Sequence, residues 1–387
     1  MHYRLARLLI VASVSCIGCG GDDEKATVTD AGTDAGTDSV TDSVTDAAAH
    51  GPLGFSPSNV PEAKLDFSGV GDVVWNDNLC GNTLSLTDSM TTLCEGLGTT
   101  YKSFEHVDGK NHYTVFVARN FRIEAGQTVA LSGTRPIILV ALDSIEIIGQ
   151  LNADPGIAGG ALQGNGVDAN GPGEGGGKYG GMPGPRGGGG GFCGKGGDAG
   201  AAIAKGGIAY GTATLIPLRG GSSGGGPYPG GGGAAVQLVA GRRIHIGAAG
   251  RVYVPGGGGH SALNLGGGGG AGGAILLESK DIAIEGALAA NGGGGGSNNG
   301  GGEGQLGTAT TTPAKGDVAG PEGAGGAGSG GATVAGGNAT GTADVAGNGG
   351  GGAGWIRLNT SSGAATVSGI VTPAAGSTCL SQGKIAL

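Results

Sequence analysis

Short apolar stretches with a shared internal layout recur four times in this chain. Each begins with a run of aliphatic residues, passes a polar corner into an alternating strand, and ends with a Gly and a third short strand. Alternation with a period of two is typical of a strand that buries one face. The four units span residues 137–151, 236–252, 275–288 and 356–371.

A unit of this length cannot bury its own apolar edges, so the units are expected to stack. In such a stack Ile147, Ile246, Ile284 and Val367 are equivalent inward positions. The pattern predicts an all-β fold: a right-handed parallel β-helix or related β-solenoid with long Gly-rich inserts and an N-terminal β capping segment. Four hairpins of an antiparallel sandwich are the alternative, which the scarcity of Asn-Gly turns inside the units disfavours.

Residues 52–135 contain less Gly and more aromatic residues than the rest, and they predict the capping segment. Two strand-like stretches there flank residues 108–111 (Asp-Gly-Lys-Asn), which have the turn chemistry of a β-hairpin. We expect this segment to cover the open end of the stack. The repeat domain then spans residues 136–376, and residues 377–387 form a C-terminal tail.

Long Gly-rich inserts separate the units, at residues 155–234, 256–272 and 291–353. Glycine fills 96 of 387 positions, but without the sustained every-third spacing that a collagen helix requires. The inserts are either solvated loops or extended polyproline-II-like strands packed side by side, because only Gly lets backbones approach so closely. The sequence leaves both interpretations open. An ice-binding or other Gly-helix bundle is disfavoured, since no regular flat Thr or Gly array is visible.

The first 18 residues predict a secretory signal peptide, with two Arg before an apolar run shorter than the roughly 20 residues of a bilayer span. Cys19 follows Gly18, and this segment resembles the lipobox of bacterial lipoproteins, which implies lipidation of Cys19. Cys16 is the competing site, and an ordinary secreted protein is the alternative. Because Gly20 and not Asp follows Cys19, the resemblance implies the outer membrane.

Residues 19–51 predict a lipidated, acidic, Thr/Asp-rich disordered tether. A Thr-Asp pair recurs every four residues, and neither residue favours a helix. Fully stretched, residues 27–49 would span roughly 75 Å. Residues 20–49 hold eight acidic residues and one Lys, which leaves a net charge of −4 for the remainder of the mature chain. The chain lacks the basic footprint of nucleic-acid binding, so nucleic acid is excluded as a partner.

Cysteine parity supports lipidation at Cys19, because four cysteines then remain in an oxidising compartment. Those four are Cys80, Cys94, Cys193 and Cys379. We expect Cys80–Cys94 to close a short loop and Cys193–Cys379 to pin the largest Gly-rich insert to the C-terminal end. Two other pairings are arithmetically possible.

Glycine at this density also generates catalytic motifs by accident. Residues 220–224 match the nucleophile-elbow pattern without its strand and helix, and residues 193–196 lack the Ser or Thr of a phosphate loop. His106, Asp108 and His112 could meet across the hairpin as metal ligands, but ordinary turn and strand residues are the better interpretation. We therefore predict no catalytic residue, no metal and no cofactor.

Two further observations argue against an enzyme. His260 and Ser261 lie in a Gly-rich insert without a plausible acidic third member. The outward positions of the four units do not form the repeated acidic row that a polysaccharide-active enzyme would show. Those positions are Glu146, His245, Ala283 and Thr366.

Several local patterns recur together: Cys19-Gly20-Gly21, the acidic repeat, Gly-Thr-Arg-Pro at residues 133–136, and units such as residues 273–278 followed by residues 290–292. Together they resemble glycine-rich bacterial outer-membrane lipoproteins of uncharacterised function, a resemblance that implies no established activity. We expect a non-enzymatic, surface-anchored lipoprotein with a structural, adhesive or envelope role. Its expected partners are the membrane, through the lipid, and cell-surface or extracellular polysaccharide. The alternative is a polysaccharide-binding or polysaccharide-active β-helix protein.

Overall fold

Strands account for nearly all the regular structure, as the alternating patterns predict. The computed structural model describes residues 51–76, 83–86, 101–163, 169–181, 186–262, 265–297, 302–318, 323–342 and 346–386. The strands are β1 (Asp72–Trp75), β2 (Thr83–Leu86), β3 (Lys102–Asp108), β4 (Asn111–Ile123), β5 (Thr128–Leu131), β6 (Ile137–Ile147), β7 (Gln150–Ala153), β8 (Ala235–Ile246), β9 (Arg251–Tyr253), β10 (Ser261–Ala262), β11 (Leu265–Gly266), β12 (Ala274–Ile284), β13 (Ala287–Ala289), β14 (Trp355–Thr360), β15 (Thr366–Val367), β16 (Ile370–Thr372) and β17 (Leu380–Lys384). Short 3-10 helices lie at Glu62–Lys64 and Gly200–Ala202.

Two sheets contain most of the described strands. The large sheet follows the order β1-β4-β6-β8-β12-β14-β17, with β3 added to β4 and β15 added to β12. Its pairs are parallel, except that β3 and β4 form the antiparallel hairpin predicted around residues 108–111. The small sheet follows the order β16-β13-β9-β7-β5-β2 and is parallel throughout its described strands. Strands β10 and β11 form a separate short hairpin.

The predicted repeat units pair in the register that their sequences indicate. Ile147 lies opposite Ile246, which lies opposite Ile284, which lies opposite Val367. A further unit extends this series at its N-terminal side, because Ile123 at the end of β4 lies opposite Ile147. Residues 111–131 thus repeat the layout of the later units, with one strand in each sheet.

The main core lies between the two sheets. Phe116, Leu139 and Ile275 of the large sheet pack there with Leu151 and Leu288 of the small sheet, and all five are buried. This burial removes apolar surface from water at about 25 cal/mol per Å², which is the main force that holds the sheets together.

Part of the outer face of the large sheet, over the first half of its strands, is also buried. Ile138, Val140 and Leu276 point away from the small sheet and pack under residues 51–67 and 210–218. In the first and third units the first half is therefore apolar on both faces, which explains the continuous aliphatic run, whereas Gln237 and Arg357 occupy the equivalent outer position in the second and fourth units. The two sheets and these covering segments form successive layers.

The prediction of a β-helix or β-solenoid is wrong. The chain is all-β, but the structure contains two stacked parallel sheets, and a solenoid is not formed. After β7, β9 and β13, the chain leaves the sheets and enters the Gly-rich stretches, where a coil of a β-helix would continue into a further strand. Alternation alone records which face is buried and does not specify how many sheets the strands build.

The Gly-rich stretches form a backbone-bonded bundle. In residues 347–354, the amides of residues 347, 350 and 353 donate to carbonyls of residues 334–340. The amides of residues 348, 351 and 354 donate to residues 290–296, and those of residues 349 and 352 donate to residues 187–190. A partner that recurs at every third residue matches the three-residue turn of polyproline II. The inserts therefore pack side by side, and a Gly-helix bundle is present after all.

Glycine is required in this bundle by direct backbone contact. A Cβ built on Gly351 would lie 1.8 Å from the carbonyl oxygen of Gly270, and one on Gly187 would lie 1.7 Å from the oxygen of Gly225. Any side chain would force the neighbouring backbone away and break its hydrogen bonds. The bundle and the strands are continuous, since residues 347–354 lead directly into β14.

A buried carboxylate fastens the N-terminal covering segment. Glu278 in β12 is 2% exposed, and its oxygens accept hydrogen bonds from the Ser58 amide (3.0 Å) and hydroxyl (2.5 Å). The amides of Gln237 (2.6 Å) and Asn359 (3.0 Å) donate to the same carboxylate. Nearby, the amide of Ser56 donates to the carbonyl of Ala386 at 3.1 Å. The segment is thus joined to the middle of the large sheet and to the residues after β17.

Candidate binding cleft

A cleft of about 450 Å³ lies where the β3–β4 hairpin meets the Gly-rich bundle. One side is formed by residues 110–113 of the hairpin and residues 134–136 before β6. The other side is formed by residues 172–174 and 218–221 of the bundle. These segments are far apart in sequence, so only the folded chain creates the cleft.

The floor of the cleft is apolar and closely packed. Tyr113 and Leu218 are buried beneath it, and the ring of Tyr210 packs on Phe192 with 4.8 Å between centroids. The Tyr210 hydroxyl donates to the carbonyl oxygen of Gly220 (2.8 Å) and accepts from the Ser222 hydroxyl (3.0 Å). Burial raises the pKa of Tyr210 to about 12. Tyr210 therefore stays protonated and serves as a wall of the cleft.

Three cations from separate segments surround the opening. Arg135 pairs with Glu105 at 3.1 Å, and Arg219 pairs with Glu174 at 3.0 Å. Lys110, in the hairpin turn, has no ion-pair partner among the residues that the structure describes. All four paired side chains are about a third or more exposed, and such pairs contribute little to stability. Glu174 is the one acidic residue in the lining, so the lining has an excess of positive charge.

The histidines of the hairpin do not build a metal site. His112 Nδ1 lies 2.6 Å from Glu105, and this hydrogen bond holds the pKa of Glu105 below its usual value. His106 stacks instead on Tyr113, with 6.0 Å between ring centroids. In the described part of the chain, no three His, Cys, Asp or Glu side chains are placed to hold a metal ion.

The chain matches no family model, no curated protein and no solved structure. The resemblance to glycine-rich lipoproteins therefore stays a prediction, and arguments on function depend on the geometry and the sequence features. Among the described residues, no helix has the length and apolar character of a membrane span.

Of the two predicted disulfides, the one between Cys193 and Cys379 is present in the structure. Cys193 and Cys379 are joined by a disulfide, with 5.6 Å between their Cα atoms. The bridge closes a separation of 186 residues and packs against Trp355. The lipidation site Cys19, and Cys80 and Cys94 of the other expected bridge, lie outside the described residues.

The outward positions of the units form one row across the large sheet. In register order, the row is Arg122, Glu146, His245, Ala283 and Thr366. Arg122 pairs with Glu146, and His245 lies 3.5 Å from Glu146 and 3.3 Å from Glu285. The row therefore contains one ion pair, Arg122 with Glu146, followed by His245 and two uncharged residues, and it lacks the adjacent carboxylates of a glycosidase.

The motifs at residues 220–224 and 193–196 do not form a catalytic serine site or a phosphate-binding loop. Ser222 and Ser223 are fully buried, and their hydroxyls bond to Tyr210 and to backbone carbonyls. In residues 193–196, the amides of residues 194 and 196 already donate to bundle carbonyls and cannot hold a phosphate. His260 does have an acidic partner that spacing did not reveal, since its Nδ1 lies 3.0 Å from Glu303.

Sequence reasoning missed the cleft itself. Tyr210 and Arg219 belong to a Gly-rich insert, and nothing in their spacing connects them with the hairpin or with Arg135. The turn around Lys110 was predicted, yet its proximity to the bundle depends on how the inserts pack. A charged side chain such as Arg219 within a Gly-rich stretch is the one local signal that could have indicated the site.

Proposed function

We propose that the mature chain is a non-enzymatic lipoprotein, held at the outer membrane by a lipid on Cys19. Its body is a rigid module with a structural or adhesive role in the envelope. The lipobox-like segment and the acidic tether support the anchor. The backbone-bonded Gly bundle supports the role of the body.

The bundle is the observation that carries this proposal. Its amides bond to segments far away in sequence, as residues 347–354 do with three neighbours. The Cys193–Cys379 disulfide crosses the same region, and by the chain-entropy model a loop of this length contributes about 5 kcal/mol. Such a body resists unfolding outside the cell and gives a fixed shape to whatever surface it presents.

Fractionation of cells that express single Cys variants tests the anchor. The Cys19→Ser variant should leave the membrane fraction and fail to incorporate a labelled fatty acid. The Cys16→Ser variant is the matched control and should remain lipidated and membrane-bound. If Cys19→Ser still partitions with membranes while Cys16→Ser does not, the proposed anchor is at the wrong residue. If neither variant changes the fractionation, the chain is not a lipoprotein of this kind.

A second function, polysaccharide binding, is favoured by a separate observation. The cleft combines a closely packed apolar floor with cations at its opening, as small-ligand sites commonly do. This function is compatible with the anchored role and does not require catalysis.

A further inference from the structure

The cleft reverses the charge of the protein that contains it. The chain has a net charge of −9, yet the cleft lining contributes Lys110, Arg135 and Arg219 against Glu174, and one cation remains in excess when Glu105, the partner of Arg135, is included. Clefts lined by one sign of charge concentrate the field and raise the local concentration of ligands of opposite sign. The site therefore favours an anionic ligand on a protein that otherwise repels anions.

The resident ion pairs show which anion the cations accept. Arg135 and Arg219 already contact the carboxylates of Glu105 and Glu174. A guanidinium group matches a carboxylate through two parallel hydrogen bonds, so a ligand carboxylate can replace either Glu. Because these pairs are solvent-exposed, the exchange costs little. Lys110 adds a cation that no described acid neutralises.

The walls favour a sugar chain over a peptide. Pro136 and Tyr210 are half-buried and Pro172 is exposed, so flat apolar groups face the space. Backbone amides in the same walls are already used, since Gly221 donates to Gly233 and Gly159 donates to Thr134. A peptide bound as an added strand would need free backbone groups there. A sugar chain needs side-chain donors and flat surfaces, and the cleft supplies both.

We propose that the cleft between the β3–β4 hairpin and the Gly bundle binds a carboxylate-bearing oligosaccharide. Arg219 and Lys110 contact the carboxylates, and Tyr210, Pro136 and Pro172 contact the ring faces. Its volume of about 450 Å³ lies within the roughly 300–1,000 Å³ of small-ligand sites.

Calorimetric titration of the full mature chain tests the site, with three probes of similar length. Tetragalacturonate should bind saturably, and the neutral sugar maltotetraose should bind at least about tenfold more weakly, because charge-assisted hydrogen bonds are lost. Binding of tetraglutamate as tight as that of tetragalacturonate would mean that the site takes an acidic peptide. Absence of tetragalacturonate binding would overturn the proposal.

Variants locate the binding. Lys110→Gln with Arg219→Gln should weaken tetragalacturonate binding by at least about tenfold. The control is Arg242→Gln, because Arg242 is also an exposed, paired arginine but lies on the large sheet, outside the cleft lining. The control should leave binding unchanged. An equal loss in both would indicate diffuse charge attraction and overturn the site.

Glu174→Gln is expected to strengthen binding, so its effect cannot be explained by a loss of folding. It releases Arg219 from its resident carboxylate, so tetragalacturonate should bind several-fold more tightly. Weaker binding of tetragalacturonate in this variant would show that Glu174 assists binding, and would overturn the assignment of Arg219 as a carboxylate contact.

The inference rests on the proposed function in one respect: export places the protein where it encounters such saccharides. Titration of purified protein is independent of the anchor. Binding without membrane association would refute the anchor alone, and membrane association without binding would refute the cleft alone.

Discussion

Replacing a single bundle glycine by alanine tests whether the Gly-rich stretches are a core. In Gly351→Ala, the new methyl group would lie 1.8 Å from the Gly270 carbonyl oxygen, whereas Cβ contacts below 3.0 Å are essentially never seen. The carbonyl must therefore move by more than 1 Å. That oxygen accepts the Gly293 amide at 3.0 Å, so the hydrogen bond breaks inside the bundle. Overpacking costs about 1–3 kcal/mol, and an unsatisfied buried amide about 1–3 kcal/mol more, giving an expected loss of about 2–6 kcal/mol.

The matched control is Gly247→Ala, at a buried glycine outside the bundle. Its nearest neighbour would be the side chain of Ile148 at 3.7 Å, an ordinary contact, so stability should change by about 1 kcal/mol or less. Thermal unfolding followed by circular dichroism, with the disulfide intact, compares the two. Gly351→Ala should melt about 10 °C below the control. Equal melting of the two variants would refute the packed-bundle interpretation.

Three further predictions concern the sheets. Ile284→Asp buries an unpaired carboxylate in the core and should lower the free energy of unfolding by several kcal/mol. Val367→Asp is in the same column, but Val367 is 41% exposed, so this variant should lose about 1 kcal/mol or less. Similar losses of stability in the two variants, measured by thermal unfolding, would contradict this placement of Ile284 and Val367. Glu278→Gln places an amide against hydrogen-bond donors and should speed hydrogen exchange in the N-terminal covering segment; unchanged exchange would show that the carboxylate does not fasten it. Hydrogen bonds from Arg119 lower the pKa of Asp72 to about 2 from 3.8, so its contribution is full above about pH 4 and disappears as the pH falls through 2. Since both side chains are exposed, Asp72→Asn should remove about 1 kcal/mol or less of acid-dependent stability, as measured by denaturant titrations between pH 2 and 6. If the dependence of stability on pH is the same in the variant, the Asp72–Arg119 pair does not contribute to it.

Register was the part of the fold most accessible from sequence. Ile147, Ile246 and Ile284 each stand in an alternating strand followed by a Gly, and the two-residue period fixes which face is buried. The unit that contains Ile123 is not evident from the sequence, because its first strand, β4, is also the second strand of the aromatic-rich hairpin in the predicted capping segment. Residues 377–387 were expected to form a tail but contain β17, whose polar sequence gives no alternation signal.

The number of sheets and the state of the glycines could not be derived in the same way. Ile138 and Val140 are covered on the outer face of the large sheet by residues 51–67, and these covering residues carry no repeat signal in the sequence. Composition alone cannot distinguish a solvated Gly loop from a packed one, because the bonds that decide it join residues far apart in sequence. The cleft depends on that same packing, and Arg219 and Lys110 are brought together only by it.

The fastening of the N-terminal segment determines how a pulling force enters the molecule. A load applied at the amino end of the body acts on residues 51–58, where Ser56 and Ser58 are joined to Ala386 and to Glu278 in the middle of the large sheet. The tension is therefore divided between β12 and the residues after β17, at the edge of the large sheet opposite β1, before it reaches β1. A pull on the amino end of the body is therefore resisted at two separate places in the fold.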